Sequence, residues 1–129
     1  MRIDFFVSVF ALAASMAHAE IPGAIQSESG AFQIVLDRDP STMPLSEFVE
    51  LKATIHDAQD AVVTGATLAI GGGMPAHGHG LPTQPEAEAT ADGSFVIKGL
   101  KFSMPGDWVL IFDIKTDSAE DRVTVDFRL

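Results

Sequence analysis

A chain of 129 residues that is 47% hydrophobic and 20% charged has the length of one folded domain and too much apolar content for a disordered segment. Its formal net charge of −10 argues against nucleic acid and anionic lipid surfaces as partners, since both demand positive charge, and leaves cations and basic protein surfaces open. There is no cysteine, so no disulfide, thiolate nucleophile or thiolate metal ligand is available.

The first 19 residues read as a secretory signal peptide. Met1-Arg2 is a short basic start, although Asp4 offsets it, Phe5 to Ala14 is an apolar run, and Ala17-His18-Ala19 has the small-x-small form of a cleavage site. The apolar run is too short to span a bilayer, so cleavage after Ala19 and release into a bacterial periplasm are expected, with no stable membrane anchor. Removing 19 of 129 residues leaves a single domain, 20–129, of 110 residues. Such a domain buries roughly two-thirds of its unfolded surface and needs no covalent staple.

Beyond a polar lead-in from Glu20 to Gly30, Phe32 to Leu36 reads as a first strand, stopped by Asp37-Arg38-Asp39-Pro40. A turn with some helical character is expected near Ser41 to Phe48. From Phe48 to His56 the alternation is clear, with Val49, Leu51, Ala53 and Ile55 on one face and charged or polar residues on the other. Val62 to Ile70 alternates again through Ala66, Leu68 and Ile70. The stretch Gly71 to Pro85 holds five of the eleven glycines and three of the seven prolines, which predicts a long loop.

Ala87 to Thr90 reads as a short strand, and Ala91-Asp92-Gly93-Ser94 as a hairpin turn, because Asp-Gly tolerates positive φ. Phe95 to Phe102 follows as one bulged strand or two pieces around Gly99. Met104-Pro105-Gly106-Asp107 predicts a tight turn. Trp108 to Ile114 is the most apolar strand and belongs in the centre of a sheet, with Trp108 supplying core volume. Lys115 to Arg122 reads as a polar connection, and Val123, Val125, Phe127 and Leu129 alternate in a closing half-buried strand. About seven strands in some 100 residues predict an all-β, immunoglobulin-like antiparallel β-sandwich.

The chemistry concentrates in the Gly/Pro stretch. In an extended backbone His77 and His79 point to the same side, so both imidazoles could reach one ion, with Met74 adding a thioether. Two imidazoles and a soft sulfur suit copper better than zinc, whose structural sites close a tetrahedron of Cys and His ligands. Met104 would complete the set if its turn lies at the same end of the sandwich. Otherwise it plugs the base of the turn, and the His-x-His pair serves as a polar linker. Glu86 and Glu88 offer oxygen ligands but read as solvated acids, and His56 as a surface residue. No nucleophile elbow, zinc-protease helix or phosphate loop is present, so catalysis is not expected.

The segments Met74-Pro75-Ala76-His77-Gly78-His79-Gly80 and Met104-Pro105-Gly106-Asp107-Trp108 together resemble the YtkA-like and FixH-like group of small exported or membrane-anchored β-sandwich domains. The resemblance spans roughly Val49 to Ile114. It implies an immunoglobulin-like fold and, for some relatives, a link to copper handling or haem-copper oxidase assembly, with Met74, His77, His79 and Met104 at the matching positions. FixH-like proteins usually keep a membrane anchor, which this chain is expected to lose.

Two functions follow as expectations. The first is a soluble periplasmic copper carrier, buffer or metallochaperone-like protein, holding Cu(I) or Cu(II) through Met74, His77, His79 and Met104. Its binding should weaken as pH falls through about 6.5, the ordinary imidazole value, because only neutral imidazole ligates. The second is a metal-free accessory module that docks a periplasmic or membrane partner protein through the Gly/Pro stretch.

Overall fold

The computed structural model describes residues 21–129. They form two antiparallel sheets. The first carries β1 (Ile25–Gln26), β2 (Phe32–Leu36), β3 (Phe48–Asp57), β6 (Glu86–Ala89) and β7 (Ser94–Lys101), in the order β1-β2-β3-β7-β6. The second carries β4 (Thr67–Met74), β5 (His79–Gly80), β8 (Asp107–Lys115) and β9 (Glu120–Arg128), in the order β5-β4-β8-β9. Seven strands have four residues or more and two have only two residues, which reconciles the expected count with the nine present. The expected leader, residues 1–19, lies outside the described residues. Among those described, no helix is long and apolar enough to cross a membrane.

Alternation places the core. Val49, Leu51, Ala53 and Ile55 of β3 point inward as their spacing requires, and they meet Leu110, Phe112 and Ile114 of β8 in one apolar cluster. In β7 the pairs Val49–Leu100 and Leu51–Ile97 set three steps of one strand against two of the other. Gly99, at φ +84, takes up the extra residue, so Ile97 and Leu100 both face the core although they are three apart. The strand is therefore continuous and bulged.

Trp108 fills the centre of one end of the sandwich, 1% exposed, with its ring edge-on to Phe102 at a centroid distance of 5.1 Å. Trp108→Ala is expected to cost about 3–5 kcal/mol. A urea midpoint within experimental error of wild type would contradict that packing role.

Four sequence expectations need correction. Val62 makes only an isolated bridge to His56, and β4 begins at Thr67, because Gly65 at φ +76 interrupts the extended chain before it. The only helical structure near Ser41 is a 3₁₀ turn, Pro40–Thr42, capped by the Asp39 carboxylate accepting from the Ser41 N–H at 2.9 Å. The connection between β8 and β9 shrinks to Thr116–Ala119, since Lys115 and Glu120 already pair across the ladder. Finally, Gly71, Gly72 and Gly73 are not loop: they continue β4 and pair with Ile111, Leu110 and Val109.

The expected Asp-Gly turn joins β6 to β7. There the Asp92 carboxylate accepts from the Ser94 hydroxyl at 2.6 Å, the Thr90 hydroxyl, the Lys52 ammonium at 3.1 Å and the Ser94 N–H. The Ser94 and Thr90 hydroxyls, then Lys52, hold Asp92 well below the usual carboxylate range. A depressed carboxylate stabilises the fold above its unfolded value of about 3.9 and loses that contribution as pH falls below it. Asp92→Asn should therefore remove part of the wild-type loss of stability below about pH 4. Urea midpoints at pH 3 and pH 6 measure this, and an unchanged difference between them would contradict it.

Candidate metal site at one end of the sandwich

β4 ends at Met74, and the chain reverses at once. Pro75 opens a single 3₁₀ turn, Pro75–His77, because its fixed φ suits the first helical position and its missing N–H is not needed there. Gly78 closes the turn in the left-handed region at φ +66, its N–H donating to the Pro75 carbonyl at 3.2 Å. His79 and Gly80 then pair back onto Met74 and Gly73. The Met-Pro-x-His-x-His-Gly run is thus a tight hairpin. Its tip, Pro75 to Gly80, is exposed.

The two imidazoles come together, though not through the extended alternation expected. The left-handed Gly78 swings His79 back beside His77, and the rings lie at a centroid distance of 5.9 Å with 26° between their planes. The His79 Nδ1 sits 3.0 Å from the Gly80 carbonyl. A neutral ring that donates from Nδ1 to that carbonyl presents Nε2 as its free lone pair, the arrangement usual for ligating histidines.

The His79 ring also meets Trp108 edge-on at 6.3 Å. Met74 faces His79 across the ladder and is fully buried. Its methyl group lies against Gly106, where an added Cβ would come within 2.7 Å of it. In the same turn the Met104 carbonyl accepts the Trp108 indole N–H at 3.0 Å, and Gly106 exchanges backbone hydrogen bonds with Leu129 at 2.8 and 3.0 Å. The Met104 side chain is 38% exposed.

The turn carrying Met104 therefore lies at the same end as the histidine hairpin, linked to it through Trp108 and Gly106. The four sequence candidates differ in state: His77, His79 and Met104 are open to solvent, and Met74 belongs to the core. Met43, the third Met-Pro methionine, is buried in the core cluster. Glu86 and Glu88 lie on edge strand β6 of the other sheet, and the Glu88 carboxylate pairs with Lys98 at 3.2 Å. His56 is half-buried on β3. Trp108 and Gly106 are the members that sequence reasoning assigned only to core and turn. Their signal was the fixed spacing Met104-x-Gly106-x-Trp108.

Beside the hairpin, on the outer face, is a shallow depression of about 320 Å³, lined by Gly72, Gly73, Met74, Pro75, Gly78, His79, Gly80, Val109 and Ile111. Among the described residues no three His, Asp or Glu side chains converge. A site here has to be built from two imidazoles, with thioethers, carbonyl oxygens or water as further donors.

The molecule is a small antiparallel β-sandwich whose one end carries a histidine hairpin beside a Met-x-Gly-x-Trp turn. The YtkA-like family profile matches residues 25–113, and the chain belongs to that family. No curated protein sequence matches it. Among solved structures it is similar to FetP from a uropathogenic Escherichia coli strain, in the form isolated after recombinant expression in the E. coli periplasm. That match has a TM-score of 0.55 at 13% identity, covering 82% of this chain and 94% of that one. A copper-bound variant of FetP is similar at a TM-score of 0.52 and 13% identity, covering 81% and 92%. At these identities the likeness is one of fold.

Proposed function

We propose that this chain is a copper-binding protein of the periplasm, exported by its first 19 residues and acting as a carrier, buffer or metallochaperone rather than as an enzyme. The observation that carries the reading is the apposition of His77 and His79, whose ring centres lie 5.9 Å apart at the exposed tip of a hairpin paired onto β4. Imidazole rings bound to one ion at about 2 Å have centres up to about 6 Å apart, so the observed separation fits a shared ion. Met104, and Met74 beneath His79, offer thioethers of the kind that hold Cu(I). The copper-bound state of one fold neighbour is consistent with this reading and does not by itself carry it.

Titration of the purified protein with copper in each oxidation state, against a competing chelator, tests the proposal. Saturable binding of one ion per chain is expected. Failure of copper in either state to bind would overturn it.

The exposed tip supports a second reading, a metal-free module that docks a partner protein through Pro75 to Gly80. Under it, His77→Ala/His79→Ala leaves copper content unchanged and abolishes co-purification with the partner from periplasmic extract. A partner retained by the variant would count against docking through this tip.

A further inference from the structure

We infer that the site selects a monovalent soft ion, Cu(I) or its redox-inert analogue Ag(I), over Cu(II) and Zn(II); this rests on the metal-binding reading above. Three independent features of the hairpin end point the same way.

The first is the angle the two rings impose. With metal–nitrogen bonds of about 2 Å, each ring centre stands about 3.1 Å from the ion, so for an ion that both ring nitrogens face, rings 5.9 Å apart correspond to an N–metal–N angle of about 140°. Tetrahedral zinc needs about 109°. A wide angle suits a low-coordinate d¹⁰ ion with one or two weak further donors. The Gly80 carbonyl beside its Nδ1 and the Trp108 edge orient the His79 ring in this arrangement.

The second is the donor set. Beyond the two imidazoles, this end offers the thioethers of Met104 and Met74, which favour Cu(I), while the carboxylates of Asp107 and Asp126 line a separate depression beside Pro75 and Ala76. The carboxylate on the Met104 turn, Asp107, is an exposed partner of the Arg128 guanidinium at 3.0 Å. With no convergent third His, Asp or Glu among the described residues, a divalent ion would keep its charge uncompensated by the protein. A monovalent ion leaves half as much charge for the protein to compensate.

The third is the wall around the rings. Trp108 closes one side of His79, and the depression on the other side is floored by Gly72 and Gly73 and walled by Val109 and Ile111. The lining of that depression holds no carboxylate, hydroxyl or amide side chain to act as the hard donor that Cu(II) or Zn(II) would take.

Trp108 is the single tryptophan of the chain and touches His79, so its fluorescence reports occupancy directly. The purified protein is titrated in parallel with Ag(I), with Cu(I) held by a competing chelator, with Cu(II) and with Zn(II), alongside His77→Ala/His79→Ala. The expected result is one Ag(I) or Cu(I) per chain with quenching of Trp108, and Cu(II) and Zn(II) more than about tenfold weaker, a difference of about 1.4 kcal/mol. The variant should lose the quenching. Cu(II) or Zn(II) binding as tightly as Ag(I) would overturn the selectivity while leaving a metal site. Absence of binding by all four ions would overturn the metal reading itself.

Discussion

Gly72→Ala should destabilise the sandwich by about 3 kcal/mol or more, combining overpacking with positive-φ strain. A Cβ at Gly72 would stand 2.0 Å from the Val109 carbonyl oxygen, and one at Gly73 would stand 2.3 Å from the His79 carbonyl oxygen. Both obstacles are backbone atoms of paired strands, so neither can step aside as a side-chain tip would. Both glycines also hold positive φ, +131 and +149. Gly73→Ala has a further consequence, because the clash falls on β5 and would lift His79 off β4. Gly78→Ala is the control: the position is left-handed but nothing lies within 4 Å of its Cβ, so about 1–2 kcal/mol of strain is expected. Urea denaturation of the three variants checks the order. Equal losses for Gly72→Ala and Gly78→Ala would show that φ alone, and not close approach, explains the glycines.

His77→Ala/His79→Ala should weaken copper binding by more than about 100-fold, since removing a supporting residue outside the coordination sphere already costs 10–100-fold. The same variant should fold as stably as wild type to within about 0.5 kcal/mol, because both side chains are exposed at the tip and neither packs in the core. Binding and stability are thus separable here, which is not so for Met74. Met74 is fully buried against Gly106, so truncating it perturbs core and site together. Competition against a chelator gives the affinity, and thermal unfolding without metal gives the stability. Retained affinity in a folded double variant would remove the histidines from the site.

The sandwich was legible because its strands are written in period two. Val49, Leu51, Ala53 and Ile55 could face only one way, and the apolar run after Trp108 could sit only in the middle of a sheet, where it lies between β4 and β9. The glycine run was misread because composition was weighed without register. Glycine marks a turn where the chain must reverse, but it also marks a strand whose neighbours come too close for a side chain, and Gly72 and Gly73 are of the second kind. Their continuity with the alternation ending at Ile70 was the available clue.

The site was half legible. The imidazole pair was visible as His77-Gly78-His79, but the reason the rings meet is the left-handed turn at Gly78, a backbone angle that spacing does not encode. The nearness of the Met104 turn depends on β4 and β8 being neighbours in the sheet. That pairing spans about 40 residues of chain, and no local pattern announces it. Trp108 was read as core volume, which it is. Its indole N–H on the Met104 carbonyl and its edge on His79 add a second task, joining turn to hairpin.

The most direct test of the central claim is the copper content of the protein isolated from the periplasm without a histidine tag, measured beside the His77→Ala/His79→Ala variant prepared identically. Close to one copper per chain in the wild type and almost none in the variant is the predicted result. Equal copper in the two, or none in a folded wild-type protein from copper-replete cells, would contradict it.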